Sequence, residues 1–161
     1  MGEASGCGGD TSARYLDPLK VDTDGDLLYD GEEIGLSSPG KDTLASAFRG
    51  DANPSTHTDP KVADSDQDGI KDGTEDLNVN GRVDSGEADP LLWDTDRDGL
   101  PDGSVTISGV VVGEDLNVNG VRDQNADGDW TETDFLANDS DVDGVFDGAE
   151  TNGTYCFKGG S

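Results

Sequence analysis

Aspartates stand at alternate positions along this chain, in runs of three followed at fixed distances by two further acids. Asp64, Asp66, Asp68, Asp72 and Glu75 occupy positions 1, 3, 5, 9 and 12 of a window, with Gly69 at position 6. Asp76, Asn78, Asn80, Asp84 and Glu87 repeat that register around Gly81. Asp139, Asp141, Asp143, Asp147 and Glu150 repeat it around Gly144. Carboxylates and carboxamides at this spacing are hard oxygen donors that converge when the chain turns. A 12-residue loop supplies six to eight oxygens in this way, from side chains, from the backbone carbonyl of position 7 and from a bidentate carboxylate at position 12. Position 7 is Ile70, Arg82 or Val145 in these three windows. Glycine at position 6 admits the positive φ that the sharp turn needs. Oxygens in this number suit calcium, because magnesium keeps several of its waters.

Four further windows depart from the template. Asp22, Asp24, Asp26, Asp30 and Glu33 carry Leu27 where glycine belongs, although Gly25 stands near enough to relax the turn. Asp94, Asp96, Asp98, the Leu100 carbonyl and Asp102 end in Val105, so their last carboxylate must come from elsewhere. Glu114, across an insertion at 104–113, is the candidate. Asp115, Asn117, Asn119, the Val121 carbonyl and Asp123 end in Ala126. They overlap Asp123, Asn125, Asp127, Asp129 and Asp134, so the two windows share Asp123. Random acidity would not place Asp, Gly and Glu in one register in three complete windows and nearly so in four more. Several bound calcium ions are expected, and seven would neutralise about half of the formal charge of -27.

The windows belong to a longer unit. Asp17, Asp59, Asp89 and Asp134 each precede the first Asp of a triplet by five residues, three of them as Asp-Pro, and they join the candidate ligands. Glu75–Gly81 recurs letter for letter as Glu114–Gly120. No amphipathic helix of ten residues flanks any window, and 64–75 abuts 76–87, which excludes ordinary helix-loop-helix hands. The expected fold class is an irregular, loop-rich, calcium-organised repeat array with little regular secondary structure. The array spans 17–150, between an N-terminal segment 1–16 and a C-terminal tail 151–161, with insertions at 34–58 and 104–113. Ser104–Gly113 carries the one strand or hairpin signal, and Thr43–Arg49 suggests a short helix.

Composition makes the cations a requirement. Leu, Ile, Val and Phe make 31 of 161 residues, and Asp and Glu outnumber Lys and Arg by 37 to 10. Such a chain cannot offset a conformational entropy cost of roughly 1–2 kcal/mol per residue by apolar burial alone. It repels nucleic-acid phosphates and anionic membranes, and no apolar run approaches the length of a membrane span. Met1–Cys7 carries neither a basic nor an apolar stretch of the kind that begins a signal peptide. Cys7 and Cys156 have no Cys-x-x-Cys spacing and are disulfide candidates, within one chain or between neighbours, in an oxidising compartment.

The triplet loops at Asp64–Glu75, 94–103 and Asp139–Glu150, the Asp/Asn loops at 76–87 and 115–126, and the Asp-Pro joints together resemble the thrombospondin type 3 repeat family, especially its bacterial members. The resemblance implies an extracellular or cell-surface chain wrapped around calcium. The cysteine that animal members carry in most repeats is missing here, which favours a bacterial or archaeal kind. His57 lies in a turn-rich loop without a catalytic partner, and carboxylates that ligate calcium stay ionised, so no enzymatic activity is expected. The expected function is that of a calcium-rigidified spacer or a subunit of a surface filament that binds copies of itself. A calcium-dependent adhesion module for a cell-surface ligand, or a stalk of a larger secreted or outer-membrane protein, is the alternative.

Overall fold

The computed structural model describes residues 16–150; Cys7 and Cys156 lie outside them. The described chain is mostly loop. Three single-turn helices interrupt it, α1 (Asp30–Glu33), α2 (Asp72–Glu75) and α3 (Asp147–Glu150), and two strands, β1 (Ser104–Ile107) and β2 (Val110–Gly113). Each helix covers positions 9 to 12 of an all-Asp window and reads Asp-Gly-x-Glu. A single turn is not stable alone, because nucleation fixes several dihedrals for one hydrogen bond. Its value here is geometric: it swings the acids of positions 9 and 12 toward the loop that precedes them.

β1 and β2 pair antiparallel from Ser104↔Gly113 to Ile107↔Val110. Ser108 and Gly109, with φ of 55° and 86°, make the two-residue connection, a left-handed turn that matches the strand twist. The expected hairpin is therefore present. The expected helix at 43–49 is not: that segment forms isolated turns, closed by Thr43 N–H to Gly40 O and Ala47 N–H to Leu44 O. Residues 41–47 are exposed throughout, Leu44 included, so no apolar face exists to hold a helix. Arg49 anchors the insertion instead. Its guanidinium pairs with Glu32 at 2.9 Å, donates to Val79 O at 2.7 Å and lies over the Tyr29 ring at 4.1 Å.

Among the described residues five hydrophobic side chains are buried, Leu28, Ile70, Ala88, Leu100 and Phe135, against thirteen carboxylates. The core is thus acidic rather than apolar. Leu28, Ile70 and Leu100 are the position-7 residues of successive all-Asp loops. Those loops touch through one glycine each. A Cβ on Gly73 would lie 2.5 Å from Asp26 O, one on Gly103 2.7 Å from Asp68 O, and one on Gly148 2.5 Å from Asp98 O. The Gly103 and Gly148 N–H groups donate to Oδ2 of Asp68 and Asp98 at 2.7 and 2.6 Å. Loops 22–33, 64–75, 94–102 and 139–150 therefore follow one another in series, each resting on the loop before. No helix among the described residues is long and apolar enough to cross a membrane.

Gly103 is crowded by the backbone of Asp68 and Ile70 and by the fully buried Ile70 side chain, 2.7 Å from the Cβ. Gly103→Ala is expected to cost about 1–3 kcal/mol through overpacking, read as a lowered midpoint in thermal denaturation under calcium.

Candidate metal centre

Every loop begins with the same backbone device. The position-1 carboxylate accepts the N–H of position 6: Asp22 from Leu27, Asp64 from Gly69, Asp94 from Gly99 and Asp139 from Gly144, at 2.9–3.2 Å. Asp76 and Asp115 accept from Gly81 and Gly120 at 2.7 and 2.6 Å. The position-5 side chain then accepts the N–H of position 7, as Asp68 does from Ile70 and Asn119 from Val121. Asp98, Asp143, Asn80 and Asp26 treat Leu100, Val145, Arg82 and Leu28 alike. The second oxygens of Asp68 and Asp98 reach the next loop through Gly103 and Gly148, while Asp24, Glu75 and Glu114 on both oxygens, and Asp26, Glu33, Asp66 and Asp96 on one, are left without a hydrogen-bond partner.

Two positions in each loop are left-handed. Position 4 has φ of 66° at Gln67, 68° at Arg97, 63° at Val142 and 82° at Gly25. Position 6 has φ of 104°, 103° and 96° at Gly69, Gly99 and Gly144, and 100° at Leu27. Gly25 supplies the left-handed position 4 of the first loop, and Leu27 itself adopts the glycine conformation at position 6, at a steric cost.

Position 9 is held by a hydroxyl residue that spacing alone did not single out. Ser65 donates from its N–H and its hydroxyl to the two oxygens of Asp72, at 2.7 Å each. Thr23 does the same to Asp30, and Thr95 to Asp102. Ser140 N–H donates to Asp147. The signal was present as Asp-Ser/Thr-Asp at every triplet.

The acids that converge belong to neighbouring loops as well as to one loop. Asp22, Asp24 and Asp26 bring carboxylate oxygens within 4.8 Å of one another, as do Asp64, Asp66 and Asp68, and Asp94, Asp96 and Asp98. Two further trios join adjacent loops: Asp26 and Glu33 with Asp72, and Asp68 and Glu75 with Asp102. Glu114 takes the place that Val105 cannot. Its N–H bonds Pro101 O and the Asp115 N–H bonds Asp102 O, as Glu75 and Asp76 bond Lys71 O and Asp72 O. The hairpin leaves and returns at one point, so the chain resumes the loop as though 104–113 were absent.

The Asp/Asn loops differ. The Asn78 and Asn80 amides donate to Asp84, and Asn78 also to Glu87, at 2.8–2.9 Å. These donors hold the Asp84 carboxyl below its ordinary pKa. In the second such loop Asn117 and Asn119 donate to Asp123, and Glu132 accepts from Asn117 and from the Asp123 N–H. Glu132, not Ala126, is thus the counterpart of Glu87. Residues 124–130 form a second excursion, closed by a Gln124↔Trp130 bridge. At its tip Asn125 accepts the N–H groups of Asp127 and Asp129, and those two acids are exposed. The overlapping window from Asp123 to Asp134 is therefore not assembled as one loop. Asp134 pairs with Arg122 at 3.5 Å. Asp17, Asp59, Asp89 and Asp134 each spend one oxygen on the N–H two residues ahead, closing a turn. Asp51, in the 34–58 insertion, was not anticipated. It is buried against Gly81, and one of its oxygens has no hydrogen-bond partner.

Could these sites hold a cation? Glu75 is 1% exposed and neither of its oxygens has a hydrogen-bond partner. Asp24 likewise lacks partners on both oxygens, and Asp26, Glu33, Asp66 and Asp96 on one each. Burial, reinforced by Asp68 and Asp66, pushes the Glu75 carboxyl up to about 10. Burial, then Asp96 and Asp98, drives Glu114 to about 10, and burial, then Asp26 and Asp24, drives Glu33 to about 9. Burial also raises Asp26, Asp66, Asp96 and Asp102 to about 7. A buried carboxylate must be neutralised or paired. No Lys or Arg among the described residues forms an ion pair with these groups. The donor set is all oxygen, clustered and unpaired, and it fits a hard metal ion.

Two outcomes follow. Folding of the ion-free chain takes up protons, since these carboxyls have higher pKa values folded than unfolded. Ion-free stability is then greatest below about pH 4 and is lost as pH rises toward 7–10. Saturating cation should reverse that slope, because ligation requires deprotonation. Denaturation midpoints with and without chelator across pH check both signs. Leu27, 61% exposed, gives little packing for its strain, so Leu27→Gly should raise stability by about 1 kcal/mol in the same assay.

Comparison with family models, with curated proteins and with solved structures finds no match for this chain.

Proposed function

We propose that this chain is an extracellular calcium-binding structural protein, a spacer of tandem loops whose rigidity comes from several calcium ions. The observation that carries the reading is Glu75, a buried carboxylate without a hydrogen-bond partner, facing Asp68 of its own loop and Asp102 of the next. A cation there would neutralise the acids and tie two loops into one body. The Asp26, Glu33 and Asp72 trio repeats the arrangement one step earlier. Calcium is favoured over magnesium by the density of oxygens and by loops that are irregular enough for variable coordination. The resemblance to thrombospondin type 3 repeats points the same way, and so does the surface location that it implies. Millimolar calcium of the extracellular kind would suffice.

In this reading the ions act through mass action on folding, because the free loops repel one another and only the native state gathers the ligands. The chemistry is ligation rather than turnover, since carboxylates held ionised by a cation do not serve as general acids.

Chelation is the direct test. Adding EDTA at neutral pH should collapse NMR dispersion and open the chain to proteolysis, and calcium should restore both. Native mass spectrometry should count several bound ions per chain. A spectrum and a protease pattern unchanged by EDTA would refute the reading, and recovery by magnesium as complete as by calcium would refute the choice of ion.

A further inference from the structure

The series of stacked loops has two faces that nothing among the described residues covers. In three internal junctions a loop offers the acid of position 5, the apolar residue of position 7 and the acid of position 12. The following loop presses the Asp-Gly of positions 9 and 10 onto them. Position 7 is 3%, 0% and 3% exposed at Leu28, Ile70 and Leu100. In the last loop the same residue, Val145, is 44% exposed, and Asp143 and Glu150 are exposed with it. The opposite face is bare at the first loop. Asp72, Asp102 and Asp147 are buried, whereas Asp30 and Gly31 are only half-buried.

Gly31 carries the argument further. Gly73, Gly103 and Gly148 are glycines for a visible reason, since a Cβ on each would strike the carbonyl of the preceding loop at 2.5–2.7 Å. Gly31 holds the same position, does not have a positive φ, and would meet only Leu36 Cδ1, at 3.7 Å. Nothing inside the described chain requires a glycine there. A loop from outside, seated as its three counterparts are, would require one.

We propose that the first loop of one copy of this chain docks on the last loop of a second copy, head to tail, in the geometry of the internal junctions. The Gly31 N–H would donate to Asp143 of the neighbouring copy, as Gly103 and Gly148 donate to Asp68 and Asp98. Asp30 would complete a trio with Asp143 and Glu150, the counterpart of Asp72 with Asp26 and Glu33. The site is incomplete in a single copy, and both faces are acidic, so docking requires a divalent cation between them. Two different faces of one molecule meeting in this way form an open chain rather than a closed dimer. The inference rests on the reading of the trios as calcium sites.

The test is sedimentation velocity of the full chain in calcium and in EDTA, alongside ion counting by native mass spectrometry. Calcium should give species that lengthen with protein concentration, and EDTA should return them to single chains. Gly31→Ala should weaken association at least tenfold while leaving the ion count and circular dichroism of the single chain unchanged, because within the described chain the added Cβ meets only Leu36 Cδ1, at an ordinary contact distance of 3.7 Å. A wild-type chain that binds its ions yet remains single at every accessible concentration would overturn the docking alone. So would a Gly31→Ala chain that associates as tightly as wild type. A chain that takes up no calcium would overturn the docking together with the reading beneath it.

Discussion

The interaction on which everything else depends is repulsion between desolvated carboxylates. Oxygens of Asp68, Glu75 and Asp102 lie within 4.8 Å of one another in a buried trio. Two unit charges at that separation repel by about 3.5 kcal/mol at an effective dielectric of 20. An ionised trio therefore carries on the order of 10 kcal/mol of strain. Full burial of an aliphatic or aromatic side chain returns about 1.5–3 kcal/mol, and five hydrophobic residues are buried among those described. One uncompensated trio is enough to cancel most of that gain. Protons or cations must enter for the described arrangement to exist.

The local architecture makes sense under this constraint. Each loop satisfies backbone N–H groups with side-chain oxygens at positions 1 and 5, so the turns are closed without an ion. What stays unsatisfied is side-chain oxygen: Asp24, Glu33, Glu75 and their neighbours. The single-turn helices and the Ser/Thr clamp on position 9 fix the direction of those oxygens at low cost in ordered chain. Insertions are tolerated where the loop has completed one contact and not begun the next. The 104–113 hairpin sits between Gly103 and Glu114, and the 124–130 excursion between Asp123 and Glu132. Both return the chain to the point it left.

Glu114 shows how much of the site was legible in the sequence. The missing carboxylate at Val105 and the nearest acid beyond the insertion named it directly. Glu132 followed the same logic and was missed, because Asp123, Asn125, Asp127 and Gly128 spelled a competing window. Spacing favoured that window, but the structure closes it into a hairpin tip with exposed acids. The 43–49 segment shows the opposite weakness. Its composition tolerates a helix, but helix formation there depends on a surface to pack against, which no local pattern reveals.

The sequence by itself determined the chemistry: oxygen donors in a fixed register, glycines where the turn is left-handed, too few apolar residues for any other core. These are properties of neighbours within twelve residues, and short-range order suffices to specify them. Only the tertiary structure decided that acids from different loops share a site. Asp26 meets Asp72, and Asp68 meets Asp102, across gaps that vary with the insertions between them. No periodicity encodes those pairs. They arise because a glycine at position 10 lets one backbone approach another closely enough for carboxylates of two loops to face the same point.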